Sequence, residues 1–147
     1  MKGITPYHGA GLLLWMRDEQ GKLNVLLGKR SIEPGKGKWS IPGGKWDDKK
    51  DIDTHGDPDY LKTALRETEE EIGLVISGNE DFLKIWKSHI PFFHYIVYSH
   101  QVSTPKTFAH NHEFSEVRWF PIDSLPASSV GFVRSQVVAL VRQHHKG

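Results

Sequence analysis

Apolar residues fill the stretch from Gly9 to Met16, and a second apolar stretch runs from Leu23 to Gly28. The polar turn R-D-E-Q-G-K lies between them, so the pair predicts a β-hairpin across Gly21. Ser31 to Lys38 carries Pro34, Gly35 and Gly37 and reads as a loop. Trp39 and Ile41 belong to a short strand that stops at Pro42, and Gly43-Gly44 then lets backbone approach a ligand closely. From Pro58 to Ile72 the period becomes helical: Leu61, Leu65, Thr68 and Ile72 form a mostly apolar arc that can face a core. Asp57 is the expected N-cap, Pro58 the first helical residue and Gly73 the left-handed residue after the helix. Phe82 to Lys87 and Phe92 to Val102 read as a strand pair broken near Pro91. Thr104 to Ser115 reads as a polar loop, Val117 to Phe120 as a short strand and Pro121 to Pro126 as a turn or helical stub. Val130, Val133, Val137, Val138 and Val141 then recur close to helical spacing in a segment that ends at His144. The order is a mixed α/β pattern, with no internal repeat and no low-complexity segment.

A chain of 147 residues suits a single domain with one core. A formal charge of +1 makes no electrostatic case for duplex nucleic acid. The absence of cysteine removes disulfides, thiolate catalysis and Cys-ligated zinc. No run approaches the ~20 apolar residues of a spanning helix, so no membrane role is expected. The N-terminal M-K-G-I-T-P-Y-H-G lacks the apolar stretch of a signal peptide, and the expected location is cytoplasmic.

The chemistry concentrates in R-E-T-E-E-E-I-G-L, Arg66 to Leu74, about twenty residues after W-S-I-P-G-G-K, Trp39 to Lys45. Four carboxylates in five positions repel one another and gain little from local pairing. At about 100° per residue, Glu67, Glu70 and Glu71 fall on one arc while Glu69 points away. One arginine does not neutralise three converging acids, so a divalent cation is the natural counter-charge. The alternative is a solvated acidic helix face; the upstream glycine pair, the arginine and the fixed order tell against it.

These residues resemble the box of the Nudix hydrolase family, G-x5-E-x7-R-E-U-x-E-E-x-G-U, with U an aliphatic residue. Arg66, Glu67, Glu70, Glu71, Gly73 and Leu74 fit its second half, with Thr68 in place of the first aliphatic residue. Gly44 fits the opening glycine, but 21 residues separate it from Arg66 where the family pattern has 13. No glutamate occurs between them; counting back from Arg66, its place is taken by Pro58, with Asp57 or Asp59 as neighbouring stand-ins. An insertion around 46–57 therefore interrupts the box, and it reads as a polar, solvated loop. The flanks N-V-L-L-G-K-R-S and E-V-R-W-F-P-I-D-S-L-P are also similar to the family, so the resemblance spans roughly residues 7 to 140.

The resemblance implies an α/β/α sandwich with a mixed sheet. It implies a hydrolase that cleaves a diphosphate linkage in a nucleoside diphosphate joined to another group, using Mg2+ or Mn2+. By resemblance, Glu70 and Glu71 are the main metal ligands, Glu67 is a water-mediated ligand or the base, and the Gly43 carbonyl is a further ligand. Gly43, Gly44 and Lys45 are expected to meet the substrate. Arg66 holds Glu67 by a charge-assisted pair. In some members a glutamate ahead of a tryptophan such as Trp119 binds metal or acts as base; Glu113 is the first candidate here and Glu116 the second. The implied partner is a small nucleotide. The rival reading is a Nudix-fold binding or sensor protein that has lost catalysis, which the missing glutamate and the insertion favour.

Two further patterns are set aside. Asp51, Asp53, His55 and Gly56 imitate the start of a calcium loop, but Lys62 stands where the bidentate glutamate belongs. His110 with His112, and His144 with His145, lack a third partner for zinc. For the substrate, Pro91 resembles a feature of the ADP-ribose pyrophosphatase subgroup and Tyr95 one of the diadenosine polyphosphate hydrolases. The coenzyme A signature is partly met by L-L-G-K-R-S and the NADH signature is absent. A nucleoside triphosphate, as in MutT-like enzymes, is the broadest expectation. Phe92, Phe93, Tyr95 and Tyr98 are candidates for stacking on a base.

Overall fold

The computed structural model describes residues 6–76, 81–103 and 108–145. Strands β1 (Tyr7–Arg17) and β2 (Leu23–Arg30) form the expected hairpin, with Trp15 opposite Val25 and Gly21 at φ 77° in the turn. The two strands then splay apart. Into the fork runs the segment holding β3 (Trp39–Ser40), which pairs with β2, and β4 (Gly43–Lys45), which pairs antiparallel with β1. The Gly43-Gly44 pair is therefore extended strand rather than loop: Gly43 lies opposite Gly11 and Gly44 opposite Ala10.

Strand β5 (Leu83–Lys87) and strand β6 (Phe93–Gln101) make the second predicted pair, and β6 lies parallel to β1 along its length. Strand β7 (Phe114–Pro121) pairs with β2 and starts three residues earlier than the sequence predicts. Phe114 explains the difference. It is buried at 2% exposure, and its ring occupies the space that a side chain at Gly28 would take, so its burial extends the strand into the polar loop. Thr104–Lys106 and Thr107 of that expected loop lie outside the described residues.

Helices α1 (Tyr60–Ile72) and α2 (Val133–His145) cover opposite faces of this mixed sheet. Alternation along β1 decides which face each residue serves. Leu13 and Trp15 pack in one core with Val133, Val137 and Leu140 of α2, while Ala10, Leu12 and Leu14 pack in another with Ala64 and Ile72 of α1. The architecture is the expected α/β/α sandwich. No described helix is long and apolar enough to cross a membrane.

The start of α1 differs from the sequence expectation. Asp59, not Asp57, is the N-cap, and it accepts from the Lys62 amide at 3.2 Å. The cause is local: Asp57 is tied to Asp53, whose amide donates to the Asp57 carbonyl at 2.8 Å, and Pro58 bridges to Ile52. The chain is thus held extended until Asp59. The C-terminal end is as expected, with Gly73 at φ 73° and its amide bonded to the Glu69 carbonyl.

Candidate active site

Arg66 organises the acidic end of the molecule. Its Nη1 lies 3.0 Å from Glu67 Oε1 and 3.4 Å from Glu70 Oε1. Its Nε and Nη2 donate to the two oxygens of Asp51 at 3.0 and 2.8 Å, and Nη2 also reaches the Lys45 carbonyl at 3.0 Å. A bidentate Arg–carboxylate pair fixes orientation as well as charge. Asp51 is 1% exposed and takes two further donors, Thr63 Oγ1 and the Asp47 amide, both at 2.9 Å. Burial alone would raise its pKa, but the bonds from Arg66, Asp47 and Thr63 outweigh burial and hold it below the usual carboxylate range.

Asp51 was not among the expected stand-ins for the missing glutamate. Asp57 and Asp59 hold the turn and the helix cap instead. The signal was present when counted the other way: forward from Gly44, the family glutamate would fall at Lys50, one residue before Asp51. The extra length is thereby divided, one residue before Asp51 and seven after it. Nor is the insertion simply a solvated loop. Asp51 anchors it, and the Trp46 indole donates to the Asp51 carbonyl at 2.8 Å.

Glu71 is 2% exposed and points away from Arg66; its Oε1 accepts from the Gly43 amide at 2.8 Å. Burial is the main force on its pKa, opposed by the Gly43 bond and reinforced by a hydrogen bond with Glu113 and the charges of Glu113 and Glu67, and together they push it up to about 9. Glu67 is also raised, first by burial and then by Glu70 and Glu113, against the pull of Arg66. At neutral pH Glu71 therefore holds a proton unless a cation takes its place. A Cβ at Gly44 would overlap the Glu67 carboxylate, so glycine there lets the acid lie against the strand.

The expected residues are therefore only partly convergent. By helical phase Glu67, Glu70 and Glu71 share one arc of α1 and Glu69 falls outside it, bordering a hollow with Arg66 and Asp51. Glu113 joins them because the Asn111 amide bonds the Glu71 carbonyl at 2.9 Å and Asn111 Oδ1 takes the Glu113 amide at 2.8 Å. Glu116 is paired with Arg118 instead. Lys45 contributes its carbonyl to Arg66, while its side chain lines a small hollow beside His8 and Trp46 rather than the large cavity. Among the described residues no three acids or histidines are assembled as a metal shell. Hard carboxylate oxygens, one of them on a buried acid that no described ion pair includes, nevertheless fit magnesium or manganese, which keep several waters and need few protein ligands.

Next to this acidic end opens a cavity of about 630 Å3. Gly43 and Gly44 form one wall; Phe93 and Phe132, stacked at 5.9 Å, form another. Arg30 and Lys38 also line it, and its described lining holds no carboxylate. Sequence reasoning missed both cations, because nothing in their spacing distinguishes them from surface charges.

Residues 7–141 match the NUDIX domain. No curated protein sequence matches the chain. Its fold is similar to the crystal structure of a MutT/nudix family protein from Enterococcus faecalis, at 18% identity and a TM-score of 0.75 over 98% of this chain. The chain spans 63% of that protein's length. It is also similar to the NUDIX domain of Shewanella oneidensis NrtR complexed with ADP ribose, at 21% identity and a TM-score of 0.69 over 97% of this chain and 90% of that one. A C. elegans Ap4A hydrolase is similar at 20% identity and a TM-score of 0.66, over 94% of this chain and 97% of that one. With the domain matched over nearly its whole length and the acidic helix set against the glycine strand, the chain belongs to the NUDIX domain family.

Proposed function

We propose that this chain is a divalent-metal-dependent hydrolase that cleaves the diphosphate linkage of a nucleoside di- or triphosphate derivative in the cytoplasm. The observation that carries this reading is the Arg66 network, which ties Glu67, lying against Gly44, to Glu70 and supplies in Asp51 a carboxylate where the box lacks one. The solved relatives named above point the same way: one binds ADP ribose and another is a hydrolase of Ap4A, both nucleotides with linked phosphates.

Glu67, Glu70 and Glu71 would hold the metal, with the Gly43 carbonyl as a further oxygen donor. Magnesium or manganese there supplies neutralisation of the phosphate oxygens and acidification of an attacking water. The residues do the rest. Arg66 keeps Glu67 and Glu70 on one side of the site, so their charges face the phosphates. Glu113, or Glu67, accepts the proton of the water that attacks phosphorus. The new P–O bond forms as the bridging P–O bond breaks, and the leaving phosphate oxygen takes up a proton from solvent. Arg30 and Lys38 meet negative charge at the cavity wall.

The sensor alternative drew its support from the missing glutamate, and Asp51 weakens that support. Phosphate release from a panel of nucleotide substrates with magnesium, manganese or EDTA tests the proposal. Turnover that disappears in EDTA is expected; thermal stabilisation by nucleotides without turnover in any metal would overturn it in favour of the sensor.

A further inference from the structure

Two polar side chains that line the large cavity each carry an oxygen without a partner among the described residues. Gln136 on α2 is 4% exposed and Ser40 on β3 is 6% exposed, and both line the cavity. Gln136 Oε1 and Ser40 Oγ have no hydrogen-bond partner among the described residues. Their neighbours are apolar: Ile41, Val133 and Val137 pack in the same core. A leucine at 136 would spare the fold an unsatisfied buried amide, so glutamine is destabilising there unless something else bonds it.

The rest of the cavity suggests what that is. Arg30 and Lys38 favour an anion, Phe93 and Phe132 offer an aromatic wall, and Gly43-Gly44 joins the space to the acids of α1. A ligand with linked phosphates at one end and a flat ring at the other matches this sequence of surfaces. Gln136 borders the same space, and a turn of its side-chain amide toward the cavity would set its oxygen and nitrogen against the ring's edge. An amide pairs in bidentate fashion with an edge that offers an amino donor beside a ring-nitrogen acceptor, which is the edge of adenine.

From this arrangement we infer that Gln136 reads the amino edge of adenine in this cavity and that Ser40 supplies an additional hydrogen bond. The inference rests on the hydrolase reading only for the position of the phosphates. Base discrimination belongs to binding and can be measured without turnover.

The test is equilibrium binding in EDTA of ADP and of purine riboside 5′-diphosphate, which carries hydrogen in place of the 6-amino group. Wild type is expected to bind ADP about 10- to 100-fold more tightly, the discrimination of one good bidentate pair. Gln136→Leu should bring that ratio close to one, while the free variant melts at a higher temperature than wild type because the orphaned amide is gone. Ser40→Ala should weaken ADP binding less. Equal wild-type affinity for the two ligands overturns the inference, and this comparison needs no variant to fold. No binding of ADP, GDP bound as tightly as ADP, or an unchanged ratio in Gln136→Leu also overturns it. Each of these results is independent of hydrolysis, so a protein that reads adenine but does not turn over refutes the enzyme proposal and leaves this one standing.

Discussion

Helices α1 and α2 each contain 13 residues and each buries one side against the same sheet, but their buried polar groups are treated differently. On α1, Thr63 donates to Asp51, Thr68 donates to the Ala64 carbonyl at 2.6 Å and Glu71 accepts from Gly43. On α2, the Gln136 oxygen is bonded to nothing in the described protein. A bonded polar group in a core positions its neighbours and stabilises the fold; an orphaned one lowers stability until something else bonds it. The α1 face is thus built to hold charges in place, and the α2 face to receive something.

The sharpest way to break that contrast is Asp51→Asn. Removing one partner of a buried, hydrogen-bonded ion pair costs about 3–5 kcal/mol. Urea or thermal unfolding at neutral pH should show this loss, together with lower turnover as Glu67 and Glu70 lose their fixed arginine. The pH dependence follows from the depressed folded pKa of Asp51. Its contribution is fully present above the unfolded value of about 3.9 and is lost as pH falls through the folded value. Wild type and Asp51→Asn should therefore differ widely at pH 7 and converge as pH falls through the folded value. A constant difference across this range would show that Asp51 acts through packing rather than charge.

Glu70→Gln tests the acids that Arg66 holds. Turnover should fall about 10²-fold or more, as when a single electrostatic stabiliser is removed. Glu69→Gln, exposed and outside the arc of the other three, should stay close to wild type. Metal titration adds a second readout: magnesium or manganese should raise the melting temperature of wild type by binding linkage, and much less that of Glu70→Gln/Glu71→Gln. Equal effects at 69 and 70 would mean that the helical phase does not decide function.

How far the sequence could be read depended on how local each signal was. Helical spacing placed Glu67, Glu70 and Glu71 together and Gly73 at the end of α1, because those relations lie within a few turns of one element. The apolar stretch from Gly9 to Met16 anticipated a strand, and two faces of apolar residues are what two covering helices require. Asp51 was hidden because its partner lies 15 residues away, and most of the extra length falls between the two. The strand character of Gly43-Gly44 was hidden because glycine marks loops by default, whereas here the splayed hairpin pairs it. Ser40 and Gln136 carry no sequence signal at all. Only the fold brings a two-residue strand and a distant helix to one cavity.

A milder change sharpens the same point. Thr63→Val keeps the branched shape but removes one of the donors to Asp51. Because Arg66 and the Asp47 amide remain, the expected loss is about 1 kcal/mol, and turnover should hardly change. A loss as large as that of Asp51→Asn would mean that the threonine, not the arginine, positions Asp51.

The smallest effect is expected at the tip of the insertion. Replacing Lys49 to Thr54 with a Gly/Ser link would remove Asp51, so it should destabilise about as much as Asp51→Asn rather than being tolerated as a solvated loop would be. Thr54, His55 and Gly56 differ: all are exposed, and Gly56 closes a turn at φ 82° in which Asp53 takes the His55 and Asp57 amides. Joining Asp53 to Asp57 through a two-residue Asn-Gly turn loses only those local bonds, and the shorter loop costs less entropy to close. The melting temperature should shift by no more than a few degrees, with Arg66 still held and turnover near wild type. A collapse in activity without loss of stability would instead place the tip of the insertion over the bound substrate, and give it a task that its exposure and its bonding do not suggest.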